Sequence, residues 1–273
     1  MMASDLTDTP VILHRSDSDE IQLVSFCRGV AGIYSTRSPT KSTPNEDAAA
    51  LIPWSENAGV LIVADGVGGA RAGDEASKIA IQSLRKTIER ARSQSQLRPA
   101  IIDGIERANA RILQKLAGAA TTIVVVEVQG NDIRTYHVGD SGVLLVGSHG
   151  KVKYRTMAHS PVGLAQRAGW IDESEALHHE QRHFISNFLG APEMRIEIGS
   201  SITMSQRDTV LLASDGILDN LHQSELVELI RRGPLEKGLV NLASTVYERM
   251  VRPTDGLPSK PDDATFVCFR CNR

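Results

Sequence analysis

Two kinds of apolar pattern divide the chain into strands and helices. Short apolar runs bounded by turn residues predict buried strands, whereas apolar residues that recur every three or four positions predict helices. The predicted strands are residues 21–30, 48–52, 60–64, 121–128, 133–138, 143–146, 209–213 and 264–269. The predicted helices are residues 74–91, 99–116, 173–179, 224–231 and 235–250.

The order of these elements predicts the fold class. Strands cluster together and helices come in pairs, so the chain lacks the strict alternation of strand and helix that is typical of a parallel α/β sheet. We therefore expect an α+β fold with mainly antiparallel sheets and external helices, in a single domain over residues 20–273. Residues 1–19 are polar and aperiodic and predict a flexible tail, and residues 35–44 predict a loop.

Composition and charge argue against several classes of protein. The 273 residues include 30 basic and 33 acidic side chains, a net charge of −3, whereas a general nucleic-acid binder is usually strongly basic. No apolar run approaches the about 20 residues of a membrane span, and the N-terminus shows no signal-peptide pattern.

Three cysteines favour a reducing compartment, hence the cytoplasm. The pair Cys268 and Cys271 lacks further zinc ligands, so we expect one core thiol and one exposed thiol.

Acidic residues stand where the predicted buried strands meet tight turns. Any one of them is more simply explained as a turn or helix-cap residue, but five such placements in one chain are harder to explain in that way. Carboxylates gathered at one end of a sheet repel each other unless cations lie between them, and hard oxygen ligands suit Mg²⁺ or Mn²⁺. The sequence therefore predicts a divalent-metal site. The acidic residues are Glu46, Asp47, Asp65, Asp140, Asp215, Asp262 and Asp263.

A glycine-rich turn, residues 66–69, directly follows Asp65. Glycine allows a sharp turn and a close approach of the backbone to a ligand, and the carbonyl groups of this turn could bind a metal ion beside Asp65. A simple turn from strand to helix is the alternative interpretation. The segment is not a Walker loop, because no Gly-Lys-Ser/Thr follows.

Six short motifs, in order along the chain, resemble the metal-dependent type 2C protein serine/threonine phosphatases in their compact bacterial form. The resemblance covers about residues 20–271 and implies a β-sandwich of two mainly antiparallel sheets flanked by pairs of helices, with metal ions at one end. The motifs are Asn45-Glu46-Asp47, Val63-Ala64-Asp65-Gly66-Val67-Gly68-Gly69, Thr121-Thr122, Val138-Gly139-Asp140-Ser141, Ala213-Ser214-Asp215-Gly216 and Asp262-Asp263-Ala264-Thr265.

The resemblance also implies an activity: Mn²⁺- or Mg²⁺-dependent hydrolysis of phosphoserine and phosphothreonine in proteins, without a covalent intermediate. Phosphorylated proteins, the targets of a serine/threonine kinase, are then the expected partners. By motif, Asp65 would bridge two metal ions. The Gly66 carbonyl and Glu46 would serve one ion, with Asp47 held through water.

Three further aspartates complete the set of ligands that the resemblance implies. Asp215 and Asp262 would serve the second ion, and Asp65 and Asp215 are the residues expected to be essential for catalysis. Asp140 matches the position that, together with Asp215, holds a third ion in bacterial members of the family. We therefore expect two core ions and a third.

Two positions depart from the family pattern. Members commonly have an arginine four residues before the metal-binding glutamate, where it binds the substrate phosphate, but Ser42 stands four residues before Glu46 here. Lys41 and Arg37 lie in the same loop, so Lys41, Ser42 and Arg37 are the candidate phosphate contacts. Some members have a histidine after the Asp-Gly pair, where this chain has Val67.

Residues 157–192 correspond to the variable flap of the family. Arg167 and Arg182 lie in this segment and could select substrates. We expect Trp54 and Trp170 to be packing residues. The flap histidines are expected to form a solvated face, and they are His178, His179 and His183.

Two alternatives to a protein phosphatase stay open at this point. One is a pseudophosphatase, a binding or scaffold protein on the same fold; the missing arginine favours it slightly, but idle buried carboxylates would be costly. The other is a phosphatase of a small phosphorylated molecule. Metal-dependent hydrolysis of an aryl phosphate tests the first alternative, and a comparison of phosphopeptides with small phosphate esters tests the second.

Overall fold

Thirteen strands form two antiparallel sheets in the computed structural model, which describes residues 9–67 and 72–271. The strands are β1 (Val11–His14), β2 (Gln22–Phe26), β3 (Gly29–Thr36), β4 (Ala48–Ser55), β5 (Ala58–Ala64), β6 (Ile123–Gln129), β7 (Asp132–Val138), β8 (Gly142–Val146), β9 (Val152–Arg155), β10 (Glu197–Ile198), β11 (Ile202–Thr203), β12 (Thr209–Ala213) and β13 (Ala264–Cys271). The helices are α1 (Gly73–Ile88), α2 (Leu97–Lys115), α3 (Pro161–Arg167), α4 (Glu173–His178), α5 (Asp215–Leu218), α6 (Gln223–Ile230) and α7 (Leu235–Val251).

The two sheets and two helix pairs stack in four layers. One sheet has the order β1-β4-β5-β6-β7-β10, with β11 also paired to β7, and the other has the order β2-β3-β13-β12-β8-β9. Helices α1 and α2 pack on the first sheet, helices α6 and α7 pack on the second, and a third apolar cluster lies between the sheets. The expected α+β sandwich is confirmed. None of the described helices combines the length and the hydropathy that a membrane span requires.

Strand β4 shows why the central strands have continuous apolar sequences. Successive side chains of a strand point to opposite faces of the sheet. Ala48, Ala50 and Ile52 belong to the cluster beneath α1 and α2, whereas Ala49 and Leu51 belong to the cluster between the sheets. Both faces are buried, so the sequence shows no alternation with polar residues.

Antiparallel pairing brings separate turns to the same end of each sheet. Ala48 at the start of β4 pairs with Ala64 at the end of β5. In the other sheet, Ala213 at the end of β12 pairs with Phe266 near the start of β13 and with Gly142 at the start of β8. In the first sheet the residues just before β4 therefore lie beside those just after β5. In the second sheet the residues just before β8 and β13 lie beside those just after β12.

The prediction of one strand over residues 21–30 was wrong, because β2 and β3 form a hairpin. Its two turn residues, Cys27 and Arg28, have φ values of 46° and 59°. Two positive φ values are the requirement of a type I′ turn, which usually contains Asn-Gly. Cys27 and Arg28 do not give that signal, so the sequence pattern predicts one continuous strand. For the same reason the end of β3 was predicted to belong to the following loop.

Two predictions about the ends of the chain were also wrong. Residues 11–14 form strand β1, which pairs with β4, so residues 9–19 are not an unstructured tail; residues 1–8 lie outside the described part. Cys271 is buried, as Cys268 is, because β13 continues to Cys271 and pairs there with Gly29 of β3. The prediction of an exposed thiol in this pair therefore fails.

The β2–β3 turn gives a test of the backbone argument. A left-handed backbone costs a non-glycine residue about 1–2 kcal/mol, so Arg28→Gly should raise the free energy of unfolding by several tenths to about 1 kcal/mol, after the entropy of the unfolded glycine is subtracted. Arg28→Ala is the control, since it also removes the exposed 3.5 Å ion pair with Glu56 but keeps the strain. Urea unfolding of both variants checks the order, and equal stabilities would contradict it.

Candidate metal centre

Asp65 lies at the centre of a group of carboxylates. It follows β5, and its pKa is raised well above the usual value, first by burial and then by the charges of Asp47, Asp215, Asp262 and Asp140. Four other carboxylates can raise the pKa of Asp65 in this way only when they lie close to it. The structure thus brings together five of the acids that the sequence singles out, from five separate connections between elements.

Asp47 is held rigidly from its backbone while part of its carboxylate stays unpaired. Asn45 accepts a hydrogen bond from the Asp47 N–H at 2.8 Å, and its amide nitrogen donates to the Ser16 carbonyl at 2.7 Å and to Ser35 Oγ at 2.9 Å. The Asp47 side chain is buried, and burial followed by the charge of Asp263 raises its pKa. Its Oδ2 has no hydrogen-bond partner within the described residues.

Asp140 is a second carboxylate with an unpaired buried oxygen. Gly139, directly before it, has a φ of 111°, a conformation that favours glycine. Burial, followed by the charges of Asp215 and Asp219, raises the pKa of Asp140 to about 8. Its Oδ1 is buried and has no hydrogen-bond partner in the described part of the chain.

Gly66 brings its backbone close to the side chain of Glu46. A Cβ atom at residue 66 would lie 2.6 Å from the Gly73 carbonyl carbon and 2.8 Å from Glu46 Cβ, so no larger residue fits without a shift. The neighbouring Asp65 carbonyl accepts hydrogen bonds from the Thr122 N–H at 2.8 Å and from Thr121 Oγ1 at 2.7 Å, as part of the packing of β5 against β6. The predicted glycines at 68 and 69 lie outside the described residues.

Lys260 is a cation of this centre that the sequence analysis missed. Its ammonium group contacts the Asp215 carboxylate directly and lies 3.2 Å from Asp262 Oδ2 and 3.4 Å from Asp219 Oδ2. Asp219, also missed, comes four residues after Asp215, so both lie on one face of the turn that includes α5. Two features of the sequence could have identified these residues: Asp219 lies four residues after Asp215, and Lys260 lies two residues before Asp262.

Lys41 is the second lysine of the centre. Its ammonium group contacts Glu46 and lies 2.8 Å from Asp263 Oδ2. Asp263 is buried, and its carboxylate also accepts the backbone N–H groups of Ser38 and Glu46, each at 2.8 Å. Asp263 therefore joins the loop that contains Lys41 to the start of β13.

The other two candidate phosphate contacts are placed differently. Arg37 lies 3.2 Å from the carboxylate of Asp17, near the N-terminal end of the described chain. Ser42 is exposed beside Lys41. Of the three residues, the structure brings only the Lys41 side chain into contact with the carboxylates.

The donor set fits hard divalent cations. Every candidate ligand is a carboxylate or carbonyl oxygen, which Mg²⁺ and Mn²⁺ prefer. The unpaired buried oxygens of Asp47 and Asp140, together with the raised pKa values of Asp65, Asp47 and Asp140, show carboxylates that lack the positive charge their ionised forms need. Bound cations would supply that charge.

The segment 157–192 contains α3 and α4 and two exposed aromatic residues, Trp170 and Phe184. Trp170 is 82% exposed, so its prediction as a packing residue was wrong. Trp54 packs against the cluster beneath α1 and α2, as predicted. His178, His179 and His183 are exposed, which confirms the expected solvated face.

A second cluster of potential ligands contains His137, His159 and Glu197, and hydrogen bonds occupy both ring nitrogens of His159. His159 Nδ1 accepts hydrogen bonds from the Gly139 N–H at 3.1 Å and from the Asn187 side-chain amide at 2.8 Å. The proton of the neutral ring is therefore on Nε2, which lies 3.2 Å from the Glu197 carboxylate. A protonated ring nitrogen has no free lone pair, so Nε2 cannot bind a metal ion in this state. The cluster supports the turn that precedes Asp140.

Comparisons with known proteins add evidence on the family and the fold. Residues 36–243 match the family model described as protein phosphatase 2C. The serine/threonine phosphatase Stp of Listeria monocytogenes is 29% identical over 197 residues, 68% of this chain and 77% of that protein. The serine/threonine phosphatase of S. agalactiae has a TM-score of 0.74 at 24% identity, over 88% of this chain and 98% of that one. The catalytic domain of the phosphatase PstP, in complex with two manganese ions, has a TM-score of 0.68 at 22% identity, over 96% and 99% of the two chains.

The raised pKa of Asp140 predicts a pH dependence in EDTA. A carboxyl group with a native pKa near 8 and an unfolded value near 3.8 contributes stability that is complete below pH 3.8 and is lost as the pH rises towards 8. Asp140→Asn imitates the protonated acid, so its stability relative to the parent protein should grow between pH 5 and pH 8. The expected growth is at least about 1 kcal/mol, a lower bound set below the about 1.36 kcal/mol that corresponds to a shift of one pKa unit. Urea unfolding at both pH values checks this, and a difference that does not change with pH would contradict it.

Proposed function

The chain belongs to the protein phosphatase 2C family, and on that premise we propose that it hydrolyses phosphoserine and phosphothreonine in proteins by a metal-dependent reaction. The observation that best supports this proposal is the group of carboxylates around Asp65, in which burial and mutual repulsion raise the pKa values. We propose one catalytic domain that includes β1 together with residues 20–273, with residues 157–192 as its flap.

Two core Mn²⁺ or Mg²⁺ ions and a third ion are part of the proposal. Asp65 would bind both core ions, with Glu46, the Gly66 carbonyl and, through water, Asp47 on one side. When bound, such ions supply a water molecule of lowered pKa as the nucleophile and positive charge that stabilises the transition state. The two manganese ions in the related PstP structure support this assignment.

Asp215 and Asp262 would complete the other side of the pair, and Asp140 would hold the third ion with Asp215. Burial and the charge of Asp215 raise the pKa of Asp262 to about 6, which supports a shared site for these two carboxylates. Asp140 has the same neighbour, Asp215, among the causes of its raised pKa.

The chain positions Asp65 before any ligand arrives. Thr122 Oγ1 accepts the Asp65 N–H at 3.2 Å, while the Thr122 N–H and Thr121 Oγ1 donate to the Asp65 carbonyl. These bonds fix the backbone on both sides of the carboxylate. Little reorganisation is then needed during the reaction, which is the main requirement for electrostatic stabilisation of a transition state.

We propose Lys41 as the main phosphate contact of its loop. Its ammonium group already lies among the carboxylates, beside Glu46 and Asp263, whereas Arg37 lies beside Asp17. A lysine is a point charge without the bidentate geometry of arginine, so its compensation for the arginine that Ser42 replaces should be partial.

Phosphorylated proteins, as targets of a serine/threonine kinase, are the proposed substrates. A cleft of about 80 Å³ lies between the flap and the centre, and its lining includes Asp140, Asp215, Arg155 and Arg182. The two arginines are positive charges suited to a phosphorylated or acidic segment. A cytoplasmic location is also part of the proposal, based on the low and odd cysteine count.

Substitution of Asp65 tests the metal centre. We expect Asp65→Asn to lower Mn²⁺-dependent hydrolysis of a phosphopeptide at least about a hundredfold. Mutation of a residue that only hydrogen-bonds to a metal ligand already lowers metal affinity or activity about 10- to 100-fold, and Asp65 is proposed to be a ligand itself. The fold should persist, because Asp65 lies at a strand end. Asp103→Asn is the matched control, as Asp103 is exposed on α2. Near-normal rates of Asp65→Asn with Mn²⁺ would contradict the assignment, and a preference for small phosphate esters would contradict the substrate class.

Substitutions in the Lys41 loop test phosphate binding. Ser42→Arg should lower the KM for a phosphopeptide roughly tenfold, the effect of one added contact of about 1.4 kcal/mol. Lys41→Ala should raise the KM in the parent protein, and less in the Ser42→Arg background, where a guanidinium already binds the phosphate. If Ser42→Arg leaves the KM unchanged and Arg37→Ala alone abolishes binding, Arg37 is the phosphate contact and Lys41 is not.

A further inference from the structure

Lys260 is anchored in place by its own backbone. It lies in the segment between α7 and β13, and its N–H donates to Asn220 Oδ1 at 2.7 Å while its carbonyl accepts from Asn220 Nδ2 at 2.8 Å. Asn220 is fully buried and also donates to the Gly216 carbonyl at 2.8 Å. The Arg182 guanidinium, from the flap, donates to the Ser259 carbonyl at 3.1 Å. The backbone of Lys260 is therefore held in a fixed position beside the acids.

The ammonium group of Lys260 is partly buried among opposite charges. The side chain is 17% exposed, and its Nζ lies beside the carboxylates of Asp215, Asp262 and Asp219. Burial alone would lower the pKa of Lys260, but these three carboxylates raise it well above the usual value. The contact is therefore more than a solvated surface ion pair, which contributes little.

Two of these three carboxylates, Asp215 and Asp262, are also the proposed ligands of one core metal ion. An ammonium group and a divalent cation both need the lone pairs of the same oxygen atoms, and an ammonium group has only donors to offer. They cannot both occupy the space between Asp215 and Asp262.

We propose that Lys260 is a tethered cation that competes with the divalent ion for Asp215 and Asp262, so that metal binding displaces its ammonium group. The proposal rests on the proposed metal centre. Asp219 gives the displaced group a place to remain, since it lies within 3.4 Å of Nζ and is not among the proposed metal ligands. Lys260 thereby lowers the affinity for metal on the Asp215 side and neutralises part of the acidic charge when metal is scarce.

Chemical labelling of the parent protein tests the displacement without a mutation. Protein treated with EDTA, and the same protein with saturating Mn²⁺, are reacted briefly with an amine-acetylating reagent, and each lysine is quantified by mass spectrometry. Mn²⁺ should increase acetylation of Lys260 severalfold. Lys151 is the internal control, because it is exposed in the turn between β8 and β9, at the end of β8 away from Asp140, and should not respond. Equal labelling of Lys260 in both conditions would overturn the proposal.

Calorimetry with Mn²⁺ measures the competition itself. Lys260→Met should tighten one Mn²⁺ site at least about tenfold, which corresponds to about 1.4 kcal/mol, and Lys151→Met should leave the affinities unchanged. In EDTA, Lys260→Met should have a lower melting temperature than the parent protein, and saturating Mn²⁺ should remove the difference. A purely structural role of Lys260 would lower the melting temperature in both conditions and would overturn the proposal.

The outcomes separate this proposal from the proposed function. If the parent protein binds Mn²⁺ and hydrolyses a phosphopeptide, but Lys260 labelling and the Lys260→Met affinity do not change as stated, only the role of Lys260 is wrong. If the parent protein neither binds Mn²⁺ nor hydrolyses the peptide, the metal centre and the role of Lys260 are both wrong.

Discussion

Repulsion between partly buried carboxylates is the constraint on which the rest of this structure depends. The aspartates around Asp65 lie so close together that each ionised group raises the pKa values of its neighbours. Such an arrangement is unfavourable for folding unless positive charge neutralises it. Metal ions are the proposed source of most of that charge, and Lys41 and Lys260 supply some of it from within the chain.

The four-layer sandwich supplies the rigidity that holds these groups against their repulsion. Strands β4, β5, β12 and β13 are buried on both faces, and the acids lie at the strand ends where antiparallel neighbours meet. The backbone N–H groups of Asp65 and Asp47 donate to the side chains of Thr122 and Asn45, and these bonds fix the positions of the carboxylates without neutralising them. The oxygen atoms thus stay available to cations.

Local patterns predicted most of the strands and helices and the acids at the strand ends, whereas the layered sandwich was implied by the family resemblance. Apolar runs such as residues 60–64 show buried strands directly, and Asp65 follows such a run. The turn at Cys27 and Arg28 was missed because its residues lack the usual signal of that turn. Lys260 was missed because two of its three acidic neighbours, Asp215 and Asp219, are distant in the sequence, and only the folded structure brings them next to it.

The most direct test of this account is the unfolding of the parent protein as a function of Mn²⁺ concentration, starting from protein treated with EDTA. A ligand that binds only the native state raises the free energy of unfolding with the logarithm of its concentration. The account predicts a rise whose slope at high Mn²⁺ corresponds to at least two ions, with phosphopeptide hydrolysis appearing over the same concentrations. Unchanged stability across the titration, or full hydrolysis in EDTA, would contradict the claim that cations neutralise this group of carboxylates.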